Sequence, residues 1–136
     1  MSDSRAADVT AIQAVLADSY RAWDGGDATA MVADYTEDAT VLMPGTYHPD
    51  REAIRAGMAA AFAGPLKGTS TSNERISLRF LGADAAIALI ESGILFPGET
   101  EVPAERRVNA SWVFEKRDGR WLVAAYQNCP VLTPGQ

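Results

Sequence analysis

Apolar side chains recur every three and four residues in the first half of the chain and every second residue in the last half. Val9, Ile12, Leu16, Ser19/Tyr20 and Trp23 mark one face of an amphipathic helix from Ser4 to Trp23, which Asp24-Gly25-Gly26 ends. Asp27 is placed to cap a short second helix, Ala28 to Tyr35, with Met31, Val32 and Tyr35 on its buried side. Thr36-Glu37-Asp38 reads as a turn, and Ala39 to Met43 as a short strand closed by Pro44-Gly45. The following loop carries Tyr47 and His48, and His48 is expected to be extended because Pro49 follows it. Asp50 caps a third helix to about Ala63, in which Ile54, Met58 and Phe62 are spaced by four and Gly64-Pro65 is the stop. Leu66 to Ser72 reads as a polar loop.

From there the period is two. Ile76, Leu78 and Phe80 alternate, Gly82-Ala83-Asp84 turns the chain, and Ala85 to Gly93 is an apolar run broken only by Glu91 and Ser92. Pro97-Gly98 and Pro103 bracket an acidic loop, Glu99 to Glu101. The segment Arg107 to Pro130 then reads as a long hairpin turned by Asp118-Gly119. Its first arm alternates Val108, Ala110, Trp112 and Phe114 with Arg107, Asn109, Ser111 and Glu115. Its second arm has Trp121, Val123, Ala125 and Gln127 on one side and Leu122, Ala124, Tyr126 and Asn128 on the other, so both faces need cover. Helices first and strands last predict an α+β domain, in which three N-terminal helices pack on a curved, mainly antiparallel sheet.

Composition narrows this further. At 136 residues the chain is one domain with room for a hydrophobic core, and its single cysteine, Cys129, excludes an internal disulfide or a cysteine metal cluster. Cys129 has no cation near it in sequence and reads as a small buried residue. A net charge of −6 without clustered Arg or Lys argues against nucleic acid as a partner. No apolar run is long enough to span a bilayer, and the opening Met-Ser-Asp-Ser-Arg is unlike a signal peptide. A cytoplasmic protein is expected. No group of His, Asp and Glu has metal-ligand spacing, so no metal is expected.

The order of elements, with GGD after the first helix, YTEDATVLMPG into the first strand, DREAI opening the third helix and DGRW-x-V-x-x-YQN near the end, resembles the nuclear transport factor two-like superfamily. Within it the chain is similar to the SnoaL-like and SgcJ/EcaC-type proteins of polyketide and enediyne pathways. The resemblance runs from about Val9 to Val131. It implies a cone-shaped fold, a pocket between the concave sheet and the helices, and a homodimer through the convex face. Steroid isomerases of this fold use a helix tyrosine and two strand aspartates. The landmarks place Ser19, Met43 and Ser111 at those positions, and none of these supplies a base or a strong oxyanion donor. A register shift of one residue would bring Tyr20 to the helix position.

The same placement makes Leu16, Ser19, Trp23, Tyr35, Met43, Met58, Phe62, Asn109, Ser111, Leu122, Ala124, Tyr126 and Asn128 the expected pocket wall. Trp23, Met43, Met58 and Phe62 serve equally as ordinary core at this spacing. A buried phenol at Tyr35 or Tyr126 needs a partner and can donate to a ligand oxygen. Asn109 and Asn128 either contact ligand or pair with each other across the hairpin. His48, the only histidine, is the candidate acid or base, with a solvent-exposed loop residue as the alternative. Glu91 is a proton-transfer candidate if it faces the pocket, and a partner for Arg107 on the convex face if it does not. The expected function is binding of a bulky hydrophobic small molecule. It takes the form either of a cofactor-independent cyclase or isomerase using His48, Tyr35 and Asn128, or of a carrier that shields an intermediate.

Overall fold

The computed structural model describes residues 3–131, so the Met1-Ser2 part of the polar N-terminus lies outside the described residues. Helix α1 spans Asp3–Asp24, α2 Ala28–Met31 and α3 Arg51–Ala63. The strands are β1 (Tyr35–Met43), β2 (Thr46–His48), β3 (Ser70–Phe80), β4 (Ala85–Leu95), β5 (Val108–Arg117) and β6 (Arg120–Pro130). They form one curved sheet of order β2-β1-β6-β5-β4-β3, in which only the β1–β6 pair is parallel. The helices lie against its concave face. Among the described residues, no helix is long and apolar enough to cross a membrane.

Local chemistry accounts for the helix starts. The Asp27 carboxylate accepts from the Ala30 N–H at 3.0 Å, and Asp50 accepts from the Ala53 N–H at 2.8 Å. Ile54, Met58 and Phe62 of α3 and Ile12, Val15 and Leu16 of α1 then meet Phe114, Ala110, Ile90 and Val123 of the sheet in one core. The second helix is shorter than its apolar spacing suggests. A single turn cannot propagate without further support, and the chain instead leaves it at Val32 so that Tyr35 can open β1 opposite Val123. The residues read as a turn, Thr36 to Asp38, become an irregularity within β1, where Tyr35 and Thr40 pair only two residues apart on β6.

A second bulge decides which side chains face inward. Val113 pairs with Ala125 but Phe114 pairs with Val123, so β6 carries one extra residue, Ala124. Trp121 and Val123 therefore share the concave face with Tyr126 and Asn128, in place of the strict two-sided alternation expected for this arm. Ala125, Gln127 and Cys129 turn to the convex face, and Cys129 is exposed rather than buried. On β5 the concave face takes Ala110, Trp112 and Phe114, which puts Asn109 and Ser111 outside. Glu91 also lies on the convex side, where it accepts from Arg107 Nε at 2.9 Å.

One end of the cone is closed by aromatic packing. Trp121 meets Phe80 edge-on at 5.9 Å, and the Trp121 Nε1–H donates to Asp8 of α1 at 2.9 Å. Lys116 also reaches Asp8, at 3.3 Å. The Trp121 hydrogen bond first, then Lys116 and Arg5, hold the Asp8 carboxyl below its usual range against the opposing effect of desolvation. A depressed folded pKa adds stability above the unfolded value of about 3.9, and that stability is lost as pH falls through the folded pKa. Asp8→Asn is therefore expected to lower the denaturation midpoint at pH 7, with the gap to the native chain closing as pH falls below about 4. A pH series of urea melts measures it.

Candidate functional site

The other end of the cone is open to a cavity of about 220 Å³ between the concave sheet face and α1, α2 and α3. Its wall on the sheet side follows the strand register. One cross-strand row runs His48, Val41, Tyr126, Trp112. Toward the mouth come Met43 and Asn128, and then Val108, Ser92 and Asn73. Thr71 and Ile94 pair one step farther on, and Arg106 stands beside them on the short helical turn Ala104–Arg106 before β5. Ser19, Tyr20 and Trp23 of α1, Met31, and Ile54 and Met58 of α3 form the opposite wall.

Three phenols dominate the inner part. Tyr126 meets Trp112 edge-on at 4.9 Å, and Tyr20 meets the same indole at 6.3 Å. Burial raises the Tyr35 phenol well above its usual range, and a hydrogen bond with Ser19 acts the other way. Burial likewise raises Tyr20, with Tyr126 adding to the effect. It raises Tyr126 too, opposed by its bond from Asn128. All three are held as neutral O–H groups. Asn128 Nδ2 donates to the Tyr126 oxygen at 2.8 Å, which leaves the Tyr126 proton to be donated elsewhere.

The mouth is polar. Asn73 Nδ2 donates to Thr71 Oγ1 at 2.9 Å, and Arg106 Nη2 donates to both oxygens of Glu99 at 2.6 Å. No aspartate or glutamate lines the cavity among the described residues. Among the same residues, no three His, Cys, Asp or Glu side chains come together as a metal site.

His48 is on a strand, not in a loop. Gly45, at φ 77°, makes a tight turn after β1, and β2 returns against it with Val41 opposite His48. The imidazole lies over α3 at Gly57, so that a β-carbon there would sit 2.6 Å from Cε1 and 2.8 Å from Nε2. This accounts for a glycine in the middle of an alanine-rich helix, where it costs about 1 kcal/mol relative to alanine.

The structure brings Ser19, Trp23, Tyr35, Met43, His48, Met58, Tyr126 and Asn128 to the cavity. It does not bring the others. Leu16 is buried in the core beneath the wall, and Phe62 packs behind Trp23, edge-on at 5.3 Å. Asn109 and Ser111 lie on the convex face, since Ala110 and Trp112 hold the inward positions of β5, so Asn109 cannot pair with Asn128. Leu122 and Ala124 are also off the cavity, displaced by the bulge. Both Ser19 and Tyr20 reach the cavity, which makes the one-residue ambiguity on α1 immaterial. Trp112, Thr71, Asn73, Ser92 and Arg106 are not among the expected wall residues. The alternation of Val108, Ala110, Trp112 and Phe114 held the signal for Trp112; β3 begins earlier than its polar sequence suggests, which hid Thr71 and Asn73.

A curved sheet wrapped on three helices around a lined cavity defines a cystatin-like, nuclear transport factor two-like fold. The chain belongs to the SnoaL-like domain family, whose model matches residues 4–127. A domain of unknown function with a cystatin-like fold from Nostoc punctiforme is 30% identical, over 94% of this chain and 80% of that one, with a TM-score of 0.86. A protein of the same fold from Novosphingobium aromaticivorans is 20% identical over 98% of this chain and 86% of that one, with a TM-score of 0.82. An NTF-2 like protein of unknown function from Shewanella oneidensis is 16% identical over 89% of this chain and 98% of that one, with a TM-score of 0.75. The last two show the fold alone. No curated protein matches the sequence.

Gly57→Ala tests the seat of the histidine. The expected outcome is a displaced imidazole, seen as shifted C–H resonances of the sole histidine by NMR. The gain of about 1 kcal/mol usual for Gly to Ala in a helix should not appear in the melting curve.

Proposed function

We propose that this protein binds a hydrophobic ketone in its cavity and acts on it as a cofactor-independent cyclase or isomerase of polyketide type. The observation that carries the reading is the row His48, Val41, Tyr126. Two strand spacings separate the outer pair, roughly 10 Å between backbones, and both side chains line the same cavity. A carbonyl oxygen placed against the Tyr126 O–H, which Asn128 orients, leaves its α-carbon toward the imidazole. An unprotonated imidazole nitrogen takes the α-proton, and the C–H electron pair becomes the enol double bond. The Tyr126 hydrogen bond stabilises the charge developing on oxygen. In a β,γ-unsaturated ketone the imidazolium returns the proton to the γ-carbon and the double bond moves into conjugation; alternatively the enol carbon attacks a second carbonyl, whose oxygen takes the proton from the imidazolium, and a ring closes. Among the described residues the pocket lining contains no carboxylate, so no step uses one.

That lack also supports a second reading, a carrier that holds such a compound without chemistry. Exchange of the α-protons of 1-tetralone in D2O, followed by NMR, separates the two. Catalysed exchange that falls 10²- to 10⁴-fold in His48→Gln, and also falls in Tyr126→Phe, supports the enzyme. Binding with no exchange above buffer supports the carrier.

The convex face supports a homodimer as the working state. Leu89 is 41% exposed and Leu42 50% exposed there, with Ser111 and Gln127 between them in the same cross-strand row and the half-buried Ile87 and Val113 in the next row. Leu89→Glu is expected to convert a dimer into a monomer in sedimentation velocity; a monomeric native chain at tens of micromolar would overturn this.

A further inference from the structure

The lining of the cavity also limits the chemical class of its ligand, on the reading that this cavity is a small-molecule site. We propose that the ligand is uncharged, no larger than two fused rings, and carries two oxygen acceptors at opposite ends. One acceptor meets Tyr126 in the inner row, and the other meets Asn73, Ser92 and Arg106 at the mouth.

Size comes first. The cavity measures about 220 Å³, whereas a buried apolar cavity of about 150 Å³ takes one benzene ring. There is room for a second fused ring but not for a tetracycle. Position comes second. Trp112 and Val108 mark the inner row and the mouth row on β5, and they are four residues apart, about 13 Å of strand. Between those rows lie Ala110 and Ile90, with Asn128 beside them bonded to the Tyr126 oxygen, so Asn128 belongs with the inner acceptor site and the second set of polar partners sits at the mouth.

Charge comes third. Among the described residues Arg106 is the only guanidinium or ammonium group on the lining, and Glu99 already holds it through both carboxylate oxygens. Glu99 is itself fixed, because it accepts from the Phe96 N–H at 2.7 Å while the Arg106 guanidinium stacks 4.8 Å from the Phe96 ring centre. A ligand carboxylate would bring a second negative charge beside a carboxylate that cannot easily move away. A neutral carbonyl or hydroxyl meets no such opposition. Among the described residues the Glu99 bonds use only Nη2, so the guanidinium keeps donors for it. The Asn73 amide oxygen can accept from a ligand hydroxyl while its nitrogen stays on Thr71.

Four probes on one bicyclic skeleton test the proposal: tetralin, 1-tetralone, 6-hydroxy-1-tetralone and 5,6,7,8-tetrahydro-2-naphthoate. Binding to the full chain is read from quenching of the cavity tryptophans Trp23 and Trp112. Each added oxygen is expected to tighten binding roughly three- to tenfold, and the naphthoate to bind about tenfold more weakly than the hydroxytetralone. Tyr126→Phe should remove the gain from the ketone. Asn73→Ala and Arg106→Ala should remove only the gain from the hydroxyl. If the naphthoate binds tightest and depends on Arg106, the uncharged ligand is overturned. Equal binding of tetralin and both tetralones overturns the two-ended acceptor while leaving the cavity a ligand site. Tighter binding of anthrone than of any bicycle overturns the size limit. Binding of none of these compounds overturns the small-molecule reading itself, and this inference with it.

Discussion

The extra residue in β6 is the constraint on which the site depends. If Ala124 took an ordinary place in the alternation instead of bulging, a strand that presents Trp121 and Val123 to the core would present Ala125 and Gln127 next, and Tyr126 and Asn128 would face outward. The bulge changes the phase at the point where packing gives way to cavity. Below it, Trp121, Val123 and Phe114 form a dry core; above it, Tyr126 and Asn128 enter the pocket on the same face. A side chain as small as alanine at the bulged position lets the strand kink without displacing a neighbour.

The two ends of the cone then follow opposite rules. At the closed end, Trp121 and Lys116 are paired with Asp8 inside the protein. At the open end, donors are oriented but not used up. Asn128 spends one N–H on the Tyr126 oxygen and leaves the phenol proton available; Asn73 spends one on Thr71 and leaves its carbonyl. Partial satisfaction at a semi-enclosed site is costly unless solvent or ligand completes it. On the proposed function, the same sheet supplies stability at one end and recognition at the other.

Much of the fold was legible because it rests on periodicity and caps. Ile54, Met58 and Phe62 spaced by four, together with Asp50 and Gly64, fixed α3, and Asp118-Gly119 fixed the last hairpin. What failed was strand phase and strand extent. Tyr35 fits a helical spacing as well as a strand start, and only its pairing with Val123 decides between them. The bulge in β6 has no marker in an Ala-Ala pair, so Leu122 and Ala124 were assigned to the face that Tyr126 occupies. The family landmarks put Asn109 and Ser111 on the pocket wall. The alternation pointed the other way, since Trp112 and Phe114 need the core face more than two polar groups need a ligand. Arg106 was hidden for a different reason: it follows an irregular loop, where no period assigns a direction.

On the proposed function, Gly57 links fold and chemistry most directly. In a segment of alanines a glycine gives up helix stability, and the space it leaves is filled by the imidazole of His48. A histidine whose only role was to end a short strand could point to solvent and cost nothing. Here β2, three residues long and tied to β1 by the turn at Gly45, holds it over the helix and beside the cavity. The helix gives up stability at one position so that the chain's only imidazole occupies a defined place opposite Tyr126. That arrangement has a clear physical use where a ligand's proton must be met from one side and its oxygen from the other.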